Sequence, residues 1–166
     1  VYKRQVIPVT GRGYHDHNWG TVNLYECFRG WYWGRLFDPT YTVIYAWMLP
    51  LRENEATPPF LYLAKGDTPI FVTDQFEFIV EKEEADEITG KSTARNIRLK
   101  TAAREDVRFD CHLNTRRVVE CRKLPQTTDW PQYNWRFLAD YHATIEIEGT
   151  VDTVSGETIH ECLMLR

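Results

Sequence analysis

From Trp135 to Ile147 the chain alternates with a period of two. Phe137, Ala139, Tyr141, Ala143, Ile145 and Ile147 fall on one side, and Leu138, Asp140, His142, Thr144 and Glu146 on the other. That period sends successive side chains to opposite faces of a strand and fits no helix. Val107, Phe109, Cys111 and Leu113 repeat it against Arg108, Asp110 and His112, which predicts a second half-buried strand. Asn114-Thr115 reads as a turn into a further strand, Arg117 to Leu124. Gly149 and Ser155-Gly156 punctuate a hairpin into a last strand, Glu157 to Leu165.

Tyr41 to Leu49 differs. Tyr41, Val43, Tyr45, Trp47 and Leu49 share one face, yet Thr42, Ile44, Ala46 and Met48 opposite are also largely apolar. A strand apolar on both sides is covered on both sides, which points to a neighbouring domain. Shorter strands are predicted at Trp31–Phe37, Phe60–Ala64, Pro69–Val72, Gln75–Glu81 and Asn96–Lys100, with Pro125–Tyr133 as the main irregular connection. Glu81 to Glu87 sustains no 3.6-residue apolar stripe and reads as an acidic turn or solvated loop. The fold expected is all-β: an antiparallel barrel of roughly nine or ten strands, one domain over residues 1–166.

Composition narrows the partners. Net charge is −4 with a pI near 5.7 and mixed signs along the chain, which argues against nucleic acid as the main partner. No apolar run approaches the ~20 residues of a membrane helix. Aromatics reach 14%, including six Trp, which suits a β-rich core and equally the lining of an apolar pocket. Cys27, Cys111, Cys121 and Cys162 have no CxxC spacing. Cys111 and Cys121 fall on two apposed candidate strands, but buried free thiols, as in a cytoplasmic protein, are the favoured reading. A start at Val1, with no signal peptide and no initiator Met, reads as a fragment or processed chain.

The chemistry-bearing segment is Gly13-Tyr14-His15-Asp16-His17-Asn18-Trp19-Gly20. If it is extended, Tyr14, Asp16 and Asn18 share one face, and His15, His17 and Trp19 the other. Asp16 would then point into the barrel lumen. A carboxyl group in an aromatic cavity keeps its proton near neutral pH, so it could protonate an olefin or hold a carbonyl. Faces of Trp19, Trp31, Trp33, Tyr45 and Trp47 could steady a developing cation. An equal alternative makes Asp16 a staple that accepts hydrogen bonds at a strand end. His15 and His17, with His112, His142 or His160, invite a metal reading, but no second spaced pair supports zinc. His142 and His160 are expected on the polar faces of adjacent strands. Neither a GxSxG elbow, a phosphate-binding loop nor HExxH is present.

The run Gly11 to Gly20, then Trp31-Tyr32-Trp33-Gly34-Arg35, then Tyr41-Thr42-Val43-Ile44-Tyr45-Ala46, resembles the hydroxyneurosporene synthase (carotenoid 1,2-hydratase) family and its AttH-like relatives. Fungal lipocalin-like Diels–Alderases are similar. The likeness covers about the first third of the chain. It implies a lipocalin-like (calycin) barrel, with this chain as the C-terminal half of a two-barrel protein and a preceding lipocalin-like domain as its partner. It further implies a small apolar terpenoid or polyene as substrate, no cofactor, and either acid-catalysed hydration or a cyclase activity. Asp16 is the position matching the acid, with His15 and His17 beside it as further candidate catalytic residues. Tyr14, Asn18, Trp19, Trp31, Trp33, Tyr45 and Trp47 are the candidate substrate contacts. A non-catalytic binding domain for a small hydrophobic ligand is the alternative.

Overall fold

The computed structural model describes residues 8, 10, 13–17, 19–52, 55, 57, 59–102, 106–125 and 131–165. After a one-turn helix, α1 (Leu24–Cys27), the chain forms β1 (Phe28–Phe37), β2 (Tyr41–Pro50), β3 (Phe60–Lys65), β4 (Thr68–Thr73), β5 (Phe76–Ala85), β6 (Ser92–Thr101), β7 (Val107–Lys123), β8 (Tyr133–Ile147) and β9 (Thr150–Met164). They make one nine-stranded sheet in the order β4-β3-β2-β1-β9-β8-β7-β6-β5. Each pairing is antiparallel, and β9 returns to pair with β1, Trp33 opposite Glu161.

The sheet curls until its two ends face each other. Phe78 of β5 lies 5.1 Å from Tyr32 of β1 and stacks on Trp47 of β2 at 5.5 Å. The Ala94 N–H of β6 donates to the Tyr32 hydroxyl at 2.9 Å, across the interior. Among the described residues no ladder joins β4 to β5, so the barrel keeps one seam. This is the lipocalin-like, all-β architecture expected.

The inner face follows the alternation closely. Tyr41, Val43 and Tyr45 of β2, Phe109, Cys111 and Leu113 of β7, and Trp135, Phe137 and Tyr141 of β8 are all buried. These side chains fill the lumen. Gly34 leaves space for one of them: a Cβ there would lie 2.6 Å from the Tyr45 ring.

Four expectations are corrected. Asn114-Thr115 does not turn: β7 runs 17 residues and pairs with β8 from Val107↔Ile147 to Lys123↔Tyr133. Register shifts at Thr115/Arg117 and Val118/Glu120 absorb the extra residues as bulges, so the strand bends where the sequence suggests a reversal. Arg117 to Leu124 is therefore no separate strand, and Cys111 and Cys121 lie roughly 30 Å apart along one strand. All four cysteines are free. Ser155-Gly156 lies inside β9, while the hairpin does turn at Gly149, in a Glu148-Gly149 pair whose φ values of 50° and 79° fit a type I′ turn. Lastly, His142 faces outward as expected, but His160 is fully buried on the inner face. In β9 the polar Thr158 and His160 point inward beside Cys162, while Glu157, Ile159 and Glu161 face the other way.

Candidate active site

The residues from Gly13 to His17 belong to no strand; they lie against the outer face of β1. Three contacts fix them. The Tyr14 ring sits 5.3 Å from Trp33, the Arg35 guanidinium lies 5.1 Å over Tyr14 and 4.9 Å over Phe37, and Arg35 Nη1 donates to the Gly13 carbonyl at 3.4 Å. The planar guanidinium thus bridges two aromatic faces, a geometry that lysine does not reproduce.

The period-two reading of the segment holds locally. The Tyr14 hydroxyl donates to Asp16 Oδ2 at 3.4 Å, and His17 packs edge-on against Trp19 at 5.8 Å. Burial raises the Tyr14 pKa, helped by the Asp16 charge and hydrogen bond, with Arg35 opposing. The expectation that Asp16 points into the lumen is corrected: it is exposed and lines a groove on the outside of the barrel. The physical reason is twofold, since the segment is outside the sheet and the lumen is already filled. Asn18 lies outside the described residues.

The groove measures about 830 Å³. Its floor is the outer face of three strands: Trp31 and Trp33 of β1, Ile44 and Ala46 of β2, Phe60 and Tyr62 of β3. Tyr14, Asp16 and Leu24 line it from the segment before β1, and Arg136 and Glu161 line it from β8 and β9. Arg136 is held between Glu120 at 3.2 Å and Glu161 at 3.9 Å. An aromatic floor with a carboxyl and phenol pair on one rim can hold an apolar molecule and present it to a proton donor or acceptor.

The candidate residues therefore divide. Tyr14, Asp16, Trp31 and Trp33 come together in the groove. Tyr45 is buried in the core, and Trp47 lines a separate hollow of about 380 Å³ at the lumen mouth with Tyr32 and Phe78. His15, His17 and Trp19 are exposed, Trp19 at 86%. Among the described residues, no three His, Cys, Asp or Glu side chains gather as a metal site. Arg35, Phe60, Tyr62, Arg136 and Glu161 were not expected in the site. The apolar second face of β2 was the signal for that floor, and the cross-strand pair Arg136↔Glu161 follows from the β8–β9 register.

No known family model matches the chain. Over 56 residues, 34% of its length, it is 52% identical to a Chlorobaculum tepidum protein named hydroxyneurosporene dehydrogenase. Part of this chain is homologous to that protein. The match spans 14% of the relative. The barrel is also similar to the crystal structure of kievitone hydratase from Nectria haematococca, with a TM-score of 0.53 at 15% identity, over 82% of this chain and 39% of that one. That second likeness is one of fold. The chain spans well under half the length of either protein. Among the described residues, no helix is long and apolar enough to cross a membrane.

Proposed function

We propose that this chain is a hydratase-type domain acting on an apolar isoprenoid or polyene, with the outer-face groove as substrate site and Asp16 as acid. The observation that carries the reading is the groove itself: Trp31, Trp33, Ile44, Phe60 and Tyr62 present apolar surface on the side of the sheet opposite the core, with Asp16 on its rim. The fold shared with a hydratase supports the reaction class, and the partial homology to a protein named for hydroxyneurosporene supports the substrate class. A preceding lipocalin-like domain closing over the groove would take Asp16 out of water, the condition in which a carboxylic acid keeps its proton near neutral pH.

In this reaction the Asp16 proton adds to the less substituted carbon of a terminal double bond. The faces of Trp31 and Trp33 steady the resulting tertiary cation. Water attacks the cation, and the oxonium proton returns to the Asp16 carboxylate, so the net change is addition of one water. A cyclase would use the same groove through shape and hydrogen bonds alone.

The test uses the full-length protein with an acyclic polyene in H2¹⁸O. The expected result is one ¹⁸O-labelled hydroxyl per turnover, and an Asp16→Asn variant at least ~100-fold slower that still quenches tryptophan fluorescence on binding the polyene. Unchanged turnover in Asp16→Asn would remove the acid role. Binding without turnover in the wild type would assign a carrier instead.

A further inference from the structure

One end of the barrel interior holds a charge with little to balance it. Arg95 of β6 points inward, its side chain only 8% exposed, with its guanidinium carbon 4.8 Å over the Phe137 ring. Its Nε has no hydrogen-bond partner among the described residues. Among the described residues the one carboxylate in ion-pair range is Glu84, at 3.9 Å, too long for a hydrogen bond. The other oxygen of Glu84 is held by Lys82 at 2.5 Å. His160, packed 5.0 Å from Phe137, supplies no negative charge, and its Nδ1 is likewise buried without a partner. Its Nε2 lies 3.2 Å from the Thr115 hydroxyl.

Arg95 lines a pocket of about 330 Å³ together with Glu84, Asp86, Thr115, Arg117 and Val118. Two of the neighbouring charged groups are already committed. The Asp86 carboxylate accepts from the Ile88 and Thr89 amides and the Thr89 hydroxyl, and Arg116 pairs with Glu157 and Asp140. A buried guanidinium is stable when its charge is paired and its donors are used. Its planar fork matches an anion presenting two oxygens side by side. Glu84, Asp86 and Glu87 offset Arg95, Arg116 and Arg117 around the same pocket, so no excess of positive charge favours a multiply charged guest.

We propose that this pocket binds the carboxylate group of a small organic acid, with Arg95 as the pairing residue and Thr115 beside it. The site lies on the lumen side of the sheet, separated by the sheet from the groove of Asp16. It does not rest on the hydratase reading and would stand if that reading failed.

The experiment is a titration of the full chain with benzoate, acetate and inorganic phosphate, followed by calorimetry and by backbone amide NMR. Benzoate and acetate should bind saturably and shift the amides of Arg95 and of Thr115 to Val118, with phosphate at least ~10-fold weaker. Arg95→Met, which keeps the packing on Phe137, should weaken the carboxylates by about 10- to 100-fold. Tighter binding of phosphate than of either carboxylate would overturn the assignment. So would benzoate binding unchanged in Arg95→Met, or saturable binding that leaves the Arg95 and Thr115 amides unmoved. The wild-type NMR arm decides the matter even if Arg95→Met does not fold.

Discussion

His160 gives the barrel a specific weakness to acid. Burial, reinforced by the nearby Arg95 charge, lowers its pKa from 6.5 to about 3. Because the folded value lies below the unfolded one, the unfolded chain binds the proton first as pH falls. Stability is therefore complete above pH 6.5 and is lost progressively between there and pH 3. Each unit of difference is about 1.4 kcal/mol, so at pH 5 the penalty has grown to about 2 kcal/mol. His160→Gln removes the titration and keeps a group able to hydrogen-bond Thr115. Urea unfolding of both chains at pH 8 and pH 5 isolates the effect. Losses from other groups are common to both, such as Asp110, whose pKa the Arg98 hydrogen bonds and charge lower against burial. The wild-type advantage over the variant should shrink by about 2 kcal/mol between the two pH values. A difference independent of pH would refute the claim that His160 is buried and neutral.

Two further outcomes follow from backbone geometry. Gly34→Ala puts a Cβ within 2.6 Å of the fully buried Tyr45 ring, so it should cost about 1–3 kcal/mol in urea unfolding. That loss should couple to Tyr45→Leu in a double-mutant cycle; strictly additive losses would rule out the steric cause. Glu148 sits at φ 50° in its turn while its N–H donates to the Asp106 carbonyl at 2.8 Å. Glu148→Asn, which tolerates that conformation and keeps the N–H, should raise stability by about 0.5–1 kcal/mol and the Tm with it.

How far the sequence was legible depended on what each residue had to satisfy. Tyr41, Val43 and Tyr45, or Phe137, Ala139 and Tyr141, must avoid water together, and the pleat ties them to one face, so their alternation gave both the class and the core. Asn114-Thr115 misled because a bulge and a turn use the same kinds of residue, and only the partner strand distinguishes them. The Gly13 to His17 segment kept its local pairing of Tyr14 with Asp16 but not its expected side of the sheet. That depended on Arg35, far along the chain, whose guanidinium holds Tyr14 from outside.

The same distinction explains why the site sits where it does. A barrel that meets water on its outside places polar residues there and apolar ones within. Here β9 turns Thr158 and His160 inward, and next to it β1 turns Trp31 and Trp33 outward. The inward His160 of β9 and Arg95 of β6 make one polar end of the interior, and Trp31 and Trp33 form part of the floor beside Asp16. Apolar side chains in place of Arg95 and His160, and polar ones in place of Trp31 and Trp33, would give a more ordinary barrel, with neither a buried guanidinium nor an aromatic floor. The departures from simple alternation are thus concentrated at the two places proposed to bind ligands, as expected where binding rather than folding sets the residue.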